Sequence, residues 1–488
     1  MGFNILSILV FLPILGIIII MVLPKSAAPK AKIVALIFTL FTVAIAAYIW
    51  FIFDKTSGNM QFVEKYNWIQ GVNIYYNLGI DGISLPIVFL TCILSVLGVL
   101  VSWNIDNKQK AFFALLLLLQ TGMLGVFVAL DFILFYIFWE LVLLPMFFLI
   151  GIWGSSRRHY ASIKFFIYTL FGSVLMLVGI LIIFYKSGIN SFDMLGLAKN
   201  SIAPNTQNWI FLLMFMGFAI KVPMFPLHTW LPDAHTEAPT AGSVLLAGIL
   251  LKMGAYGFIR IAIPILPYAS KSWAPVISIL AIIGIIYGAL ACLVQKDVKR
   301  LIAFSSVSHM GFVMLGIASL NPTAITGSVL QMFNHGCITG MLFLIIGMIY
   351  DRTHTRQISE LGGLANKMPF FAGMLAFASF ASLGLPGLSG FWGEFMILFG
   401  TFKNNTTFYQ VMVYIAVLGI VLGAAYLLLM LQRVIFGEYK GQVQEFKKVS
   451  AAEIIALVPL IIIIIYIGVY PSGIINIISS SVSKLAGM

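Results

Sequence analysis

Charge is scarce in this chain. Only 9% of its 488 residues are Asp, Glu, Lys or Arg, against about 25% in soluble globular proteins. Hydrophobic residues make up 61%. That excludes an ordinary soluble enzyme and a disordered chain, because one water-soluble core cannot use so much apolar surface. Cysteine is almost missing. Cys92, Cys292 and Cys337 all sit in apolar runs, and no CxxC occurs. A disulfide framework and an iron–sulfur site in this chain are thereby excluded. No GxGxxG opens a helix after a strand, so there is no dinucleotide fingerprint. The net charge of +12 does not signal nucleic acid, since the basic residues are scattered over many short loops.

Long apolar runs are what the chain has in abundance. A hydrocarbon core about 30 Å thick takes roughly 20 apolar residues per helix. The pattern predicts fourteen spans, near 5–23, 31–53, 83–103, 111–130, 132–152, 161–185, 208–230, 240–263, 274–295, 300–319, 323–349, 369–400, 407–435 and 451–470. The first is read as a retained helix, because no basic residue precedes it and Lys25 follows it. The longest loop, 54–82, carries Trp68, Tyr75 and Tyr76, which suits a membrane interface. Loops after odd-numbered spans hold eighteen Lys and Arg, and the even loops and tails hold eight. The positive-inside rule then puts the odd loops in the cytoplasm and both termini outside.

Two lysines, Lys221 and Lys252, fall inside spans, as do Glu140 and Glu394. Glu140 lies nine residues past Asp131, about 13 Å along a helix, close to mid-membrane. A charge at the bilayer centre costs at least about 2.5–3.5 kcal/mol, so these groups belong inside the bundle. Structural ion pairs are the plain reading, yet buried pairs seldom improve on apolar packing. His309 and His335 are central in the tenth and eleventh spans. Ser305 shares a helix face with His309, and Ser328, Gln331, His335 and Thr339 draw one polar stripe. Satisfied core histidines are one reading; a hydrated file able to carry protons is the other. His228 lies near the cytoplasmic end of the seventh span and is a candidate for proton uptake.

Two spans are interrupted. Pro223 and Pro226 follow Lys221, and Pro386 with four glycines precedes Glu394. Proline removes backbone donors, and non-helical backbone at membrane depth is tolerated only where it lines a cavity or is packed in protein. Paired broken helices point to inverted repeats around a midplane ion site. The expected fold is therefore an all-α polytopic membrane protein of about 14 transmembrane helices, with two inverted five-helix repeats, helices 4–8 and 9–13. Its expected segments are 1–110, with three helices; 111–263 and 264–435, the two repeats; and 436–488, with the last helix.

At Phe138–Pro145 (FWELVLLP), Lys221–Val244 (KVPMFPLHTWLPDAHTEAPTAGSV), Leu251–Gly257 (LKMGAYG) and Gly390–Glu394 (GFWGE), the chain resembles the antiporter-like membrane subunits of respiratory complex I, NADH:quinone oxidoreductase. The resemblance covers essentially the whole chain. It implies that Glu140, Lys221 and Lys252 are the fifth-, seventh- and eighth-helix relay residues and Glu394 the twelfth-helix exit group. A glutamate at 394 favours the M-type branch, matching mitochondrial subunit 4, over the L and N types, which usually carry lysine there.

The function so implied is proton translocation without redox chemistry in this chain. NADH, FMN, iron–sulfur clusters and quinone would be bound by other subunits, and no metal by this one. The implied partners are the other membrane subunits, with L and N as neighbours, and the lipid bilayer of a bacterial inner membrane. A free lysine titrates near about 10.4, so one cycling near neutrality must be desolvated, and Glu140 can modulate its affinity. Protons would pass from His228 and Lys221 to Lys252, then by His335 to Glu394, with His309 on the path. Rival readings are a subunit of a multisubunit cation/proton antiporter or of a membrane-bound hydrogenase, a redox subunit with haem on His309 and His335, and a purely structural scaffold.

Overall fold

The computed structural model describes residues 4–486 except 442, 444 and 445. Among the described residues, twelve helices are long and apolar enough to cross a membrane. The two remaining expected spans are the interrupted ones. The seventh is helical over Pro204–Lys221, leaves the helix at 222–229 and resumes as Trp230–Glu237. The twelfth is split into Pro369–Ser382 and Ser389–Phe402, 14 residues each. Neither half alone reaches across a bilayer core at about 1.5 Å per residue.

The chain forms two compact units. The first takes residues up to 222, 249–275 and those from 476 onward; the second takes 223–248 and 276–475.

In the first unit, helices Ser84–Val101 and Gln109–Val128 are mostly buried, whereas a third or less of Ile5–Val22 and of the Lys25–Ile52 stretch is covered. The exposed positions of those two, such as Leu15, Ile18, Phe41 and Phe51, are apolar, as a lipid-facing surface requires. The 54–82 connection differs from the simple loop expected. Gln61–Ile69 and Ile74–Ile80 pair as an antiparallel hairpin, turned at Asn73, whose φ is 51°. Asparagine tolerates that left-handed conformation, and the strands are rich in Tyr and Ile. The hairpin has work to do: Glu64 reaches back to accept from Leu6 N at 2.7 Å and Ser7 N at 3.1 Å, satisfying orphan donors at the start of the first helix. Asp131 caps the fifth span, accepting from Ile133 N and Leu134 N, and also from Tyr75 N on the hairpin.

In the second unit, Val298–Ala318 and Pro322–Thr353 are central, with their most apolar stretches wholly buried. Asp297 and Asn321 cap their starts. Arg352, at the end of the second of these helices, makes a bidentate pair with Glu453 at 2.6 and 2.9 Å. A further helix, Ser472–Ala486, follows the last span; its residues from 476 onward, with Ile477, Ile478 and Val482 buried, belong to the first unit.

Several basic residues counted as loop charges are buried. Arg260, Lys299 and Arg352 are 7%, 7% and 8% exposed. Each lies just inside a helix end, where sequence boundaries are uncertain by a few residues, and each has a polar partner.

Candidate functional site

The predicted residues divide between the two units. In the first, Lys221 is the last residue of Pro204–Lys221 and is 2% exposed. Its Nζ stands 4.8 Å from the ring centroid of Trp139, a cation–π contact that partly compensates its burial. Glu140, the next residue, is half-buried. It is close enough to Tyr136 and to Lys221 to act electrostatically on both.

Lys252 is fully buried. It sits in the α-helical stretch Leu251–Gly257, between π-helical stretches Leu246–Leu250 and Phe258–Ala262. Such π-bulges concentrate at functional positions. Gly254 brings this helix against the one that ends in Lys221: a Cβ there would stand 2.5 Å from Phe218 O and 2.9 Å from Val222 N. Another buried charged group lies two turns on. Arg260 Nη2 is 2.6 Å from Asp81 Oδ2, and Arg260 Nε donates to Tyr256 Oη at 3.1 Å.

In the second unit, the backbone break itself builds the site. Gly384 and Gly387 have φ of 79° and 92°, conformations that L side chains rarely adopt. They turn the chain so that Ser389–Phe402 restarts with Glu394 pointing inward, 5% exposed. Gly393 lets this half-helix close on Pro322–Thr353, since a Cβ there would lie 2.2 Å from Gln331 Oε1.

Four groups converge on this point. His309 Nδ1 is 2.9 Å from Glu394 Oε1. Gln331 Nε2 donates to the same oxygen at 3.3 Å. On the other side of the imidazole, Ser382 Oγ and Tyr426 Oη lie 3.2 and 3.4 Å from Nε2. The rings of His309 and His335 are 5.8 Å apart. So His309 is held between an acid and two hydroxyls, a setting in which one nitrogen donates and the other accepts. Tyr426 was not legible in the sequence, as a tyrosine in an apolar run gives no sign of its partner.

His228 also lies in the second unit. It is 3% exposed and stacks on Phe225 at 5.6 Å, edge-on to Tyr287 at 5.0 Å. Among the described residues, no group of three or more His, Cys, Asp or Glu could hold a metal ion.

Residues 129–423 match the sequence profile of the family described as NADH:quinone oxidoreductase/Mrp antiporter, TM. The chain belongs to this family. It is 43% identical to NADH-quinone oxidoreductase subunit M of Rhodobacter capsulatus, across 99% of this chain and 96% of that one. It is 42% identical to subunit M of Rickettsia bellii (99% and 98%). It is 41% identical to NADH-ubiquinone oxidoreductase chain 4 of Marchantia polymorpha (98% and 96%). Among solved structures it superposes on a chain of respiratory complex I from Thermus thermophilus with TM-score 0.89, 29% identity and coverage of 99% and 100%. An archaeal membrane-bound sulfane sulfur reductase shares the fold, with TM-score 0.86 at 23% identity and coverage of 99% and 98%. The chain is an antiporter-like, multi-pass membrane subunit of proton-translocating NADH:quinone oxidoreductase. Its partners are other membrane subunits of that complex.

Proposed function

We propose that this chain carries protons through a buried relay: Glu140, Lys221 and Lys252 in the first unit, and His335, His309 and Glu394 in the second. The observation that carries the reading is the 2.9 Å contact of His309 Nδ1 with Glu394 Oε1, at the foot of a broken helix and ringed by Gln331, Ser382 and Tyr426. A structural ion pair needs neither a backbone break nor two hydroxyls on its far side. A proton carrier uses both, because non-helical backbone at membrane depth can line a hydrated cavity and the hydroxyls can pass a proton on.

Buried polar atoms near the same break support hydration. Gln331 Oε1, Ser379 Oγ and Ser389 Oγ have no hydrogen-bond partner among the described residues. Buried polar atoms of this kind are ordinarily satisfied by ordered water.

The relay runs inward-to-outward from His228 and Lys221 to Lys252, on to His335 and His309, and leaves at Glu394. Glu140 modulates the proton affinity of Lys221 through the charge of its carboxyl group. The two broken spans are counterparts in inverted repeats over 111–263 and 264–435, preceded by 1–110 and followed by 436–488. The chain sits in a bacterial inner membrane, termini outside, between neighbours of the L and N types. NADH, FMN, the clusters and quinone lie in other subunits, and the redox reaction there supplies the drive. Moving one charge against 100 mV takes about 2.3 kcal/mol.

The test is proton translocation by reconstituted complex carrying Glu394→Ala, at matched electron-transfer rate. Strongly reduced pumping is expected. Undiminished pumping in an assembled complex would remove Glu394 from the relay.

A further inference from the structure

The short helix that follows the first break, Trp230–Glu237, carries His235 and begins two residues after His228. It has only eight residues, and Pro239 ends it. A helix leaves its last four carbonyls without intrahelical partners, and a proline just beyond cannot supply a backbone donor. The carbonyl of Ala234 still accepts from Ala238 N at 2.9 Å. Side chains serve three of those that follow. Ser243 Oγ donates to His235 O at 3.0 Å. Arg356 Nη1 donates to Thr236 O at 2.6 Å. Lys299 Nζ donates to Ala238 O at 2.5 Å. A further cation, Arg300, pairs with Asp233 of the same helix at 3.4 Å.

Buried lysines are rare because their charge is costly to desolvate. Lys299 is 7% exposed, and among its electrostatic neighbours are Arg356, a like charge, and Asp297 and Glu237, two acids. Placing two cations at the negative end of a short helix offsets part of that cost. The segments that hold them are themselves clasped. Val298 N donates to Arg356 O at 3.0 Å and Ile358 N to Lys296 O at 2.8 Å, and Arg356 Nε pairs with Asp297 Oδ2 at 3.3 Å.

Those segments lead directly into the second-unit site. Lys299 and Arg300 stand in the first turn of Val298–Ala318, the helix of His309. Arg356 lies three residues past Pro322–Thr353, the helix of Gln331 and His335. His235 is fully buried and stacks on Phe343 of that same helix, with centroids 4.8 Å apart and rings 1° from parallel.

We propose that Lys299 and Arg356 are positioning residues: by capping the carbonyl end of Trp230–Glu237, they hold His228 and His235 in fixed register with the helices that carry His309 and His335. The proposal rests on the proton-relay reading only for its functional consequence. The clamp itself makes a separate, local prediction.

The test is hydrogen–deuterium exchange on the purified assembled complex, read on peptides covering 230–248, with proton translocation per electron measured on the same variants. A hydrogen bond from a charged donor is worth enough that Lys299→Met or Arg356→Met should speed exchange about tenfold or more. Lys299→Arg, which keeps a cationic donor, should restore wild-type exchange. Ser243→Ala removes only a neutral cap and should give about a threefold increase, which keeps the test available where the charge variants do not assemble. Pumping per electron should fall in step with exchange. Unchanged exchange in the assembled methionine variants, or in Ser243→Ala where those do not assemble, overturns the clamp. Faster exchange with wild-type pumping upholds the clamp and overturns proton entry through His228.

Discussion

His309 Nδ1 lies 2.9 Å from Glu394 Oε1, although the two residues are 85 positions apart in the chain. The contact joins the middle of one unbroken buried helix to the first turns of a half-helix that restarts after a glycine-rich break. If the pair handles one proton between them, its members are not independent. His309→Ala should reduce pumping about as strongly as Glu394→Ala, and the double variant should be little worse than either single one, as expected for residues acting as a unit. Proton translocation at matched redox turnover checks this; additive losses would separate the two residues.

Glu394→Lys should be tolerated better than Glu394→Ala. A neutral imidazole can turn its accepting nitrogen to a new ammonium donor, so a titratable, hydrogen-bonded group persists beside His309. Alanine leaves His309 and Gln331 without their acceptor. The opposing effect is the added positive charge in a buried site. A lysine variant that pumps no better than the alanine one would show that Glu394 acts as a fixed counter-charge.

Asp81→Ala strands the buried Arg260 guanidinium, which otherwise pairs with Asp81 at 2.6 Å. Removing one member of a buried pair costs about 3–5 kcal/mol. Thermal unfolding of the solubilised complex should shift clearly downward for this subunit. Asp81→Ala combined with Arg260→Met should recover most of the loss, since no charge is then left unpaired. Equal melting of the single and double variants would contradict this.

Asp131, which precedes the fifth span, titrates at about 6, raised above the ordinary 3.8 by desolvation against the lowering effect of its backbone donors, Tyr75 N among them. A carboxyl with a raised folded pKa stabilises the fold in its protonated form. That stabilisation is complete below the unfolded value of 3.8 and is lost as pH rises through about 6. Asp131→Asn keeps the capping oxygen and cannot ionise. The variant should therefore lose less stability than the wild type between pH 4 and pH 6, measured as thermal unfolding across that range. Parallel pH profiles would contradict the assignment.

The residues of the proposed relay are legible because charge in an apolar run announces itself. Glu140, Lys221, Lys252 and Glu394 stand out by the cost of burying them, and His309, His335 and Gln331 by their spacing on helix faces. The breaks were legible too, because proline and glycine cannot continue a helix at 223–226 and 384–387. What the sequence hides is partnership across helices. Nothing in an apolar run tells that Tyr426 meets His309, or that Ser382 does. Arg260 and Lys299 lie within a few residues of helix ends, where a loop charge and a buried one look alike. The hairpin at 61–80 was hidden for a different reason. Two short strands with polar residues interspersed lack the uniform apolar signal by which membrane helices are found, and their pairing is fixed by contacts to the first helix and to Asp131.

The central claim, a proton relay through buried lysines, is tested most directly at Lys221. It is buried against Trp139, and no loop or surface role competes for it. The measurement is protons translocated per electron by Lys221→Ala complex in proteoliposomes, with assembly verified and electron transfer driven at the wild-type rate. The account predicts a marked fall in the ratio, matched by Glu140→Ala and only partial in Glu140→Asp, which keeps the charge. A wild-type ratio in an assembled Lys221→Ala complex would contradict it.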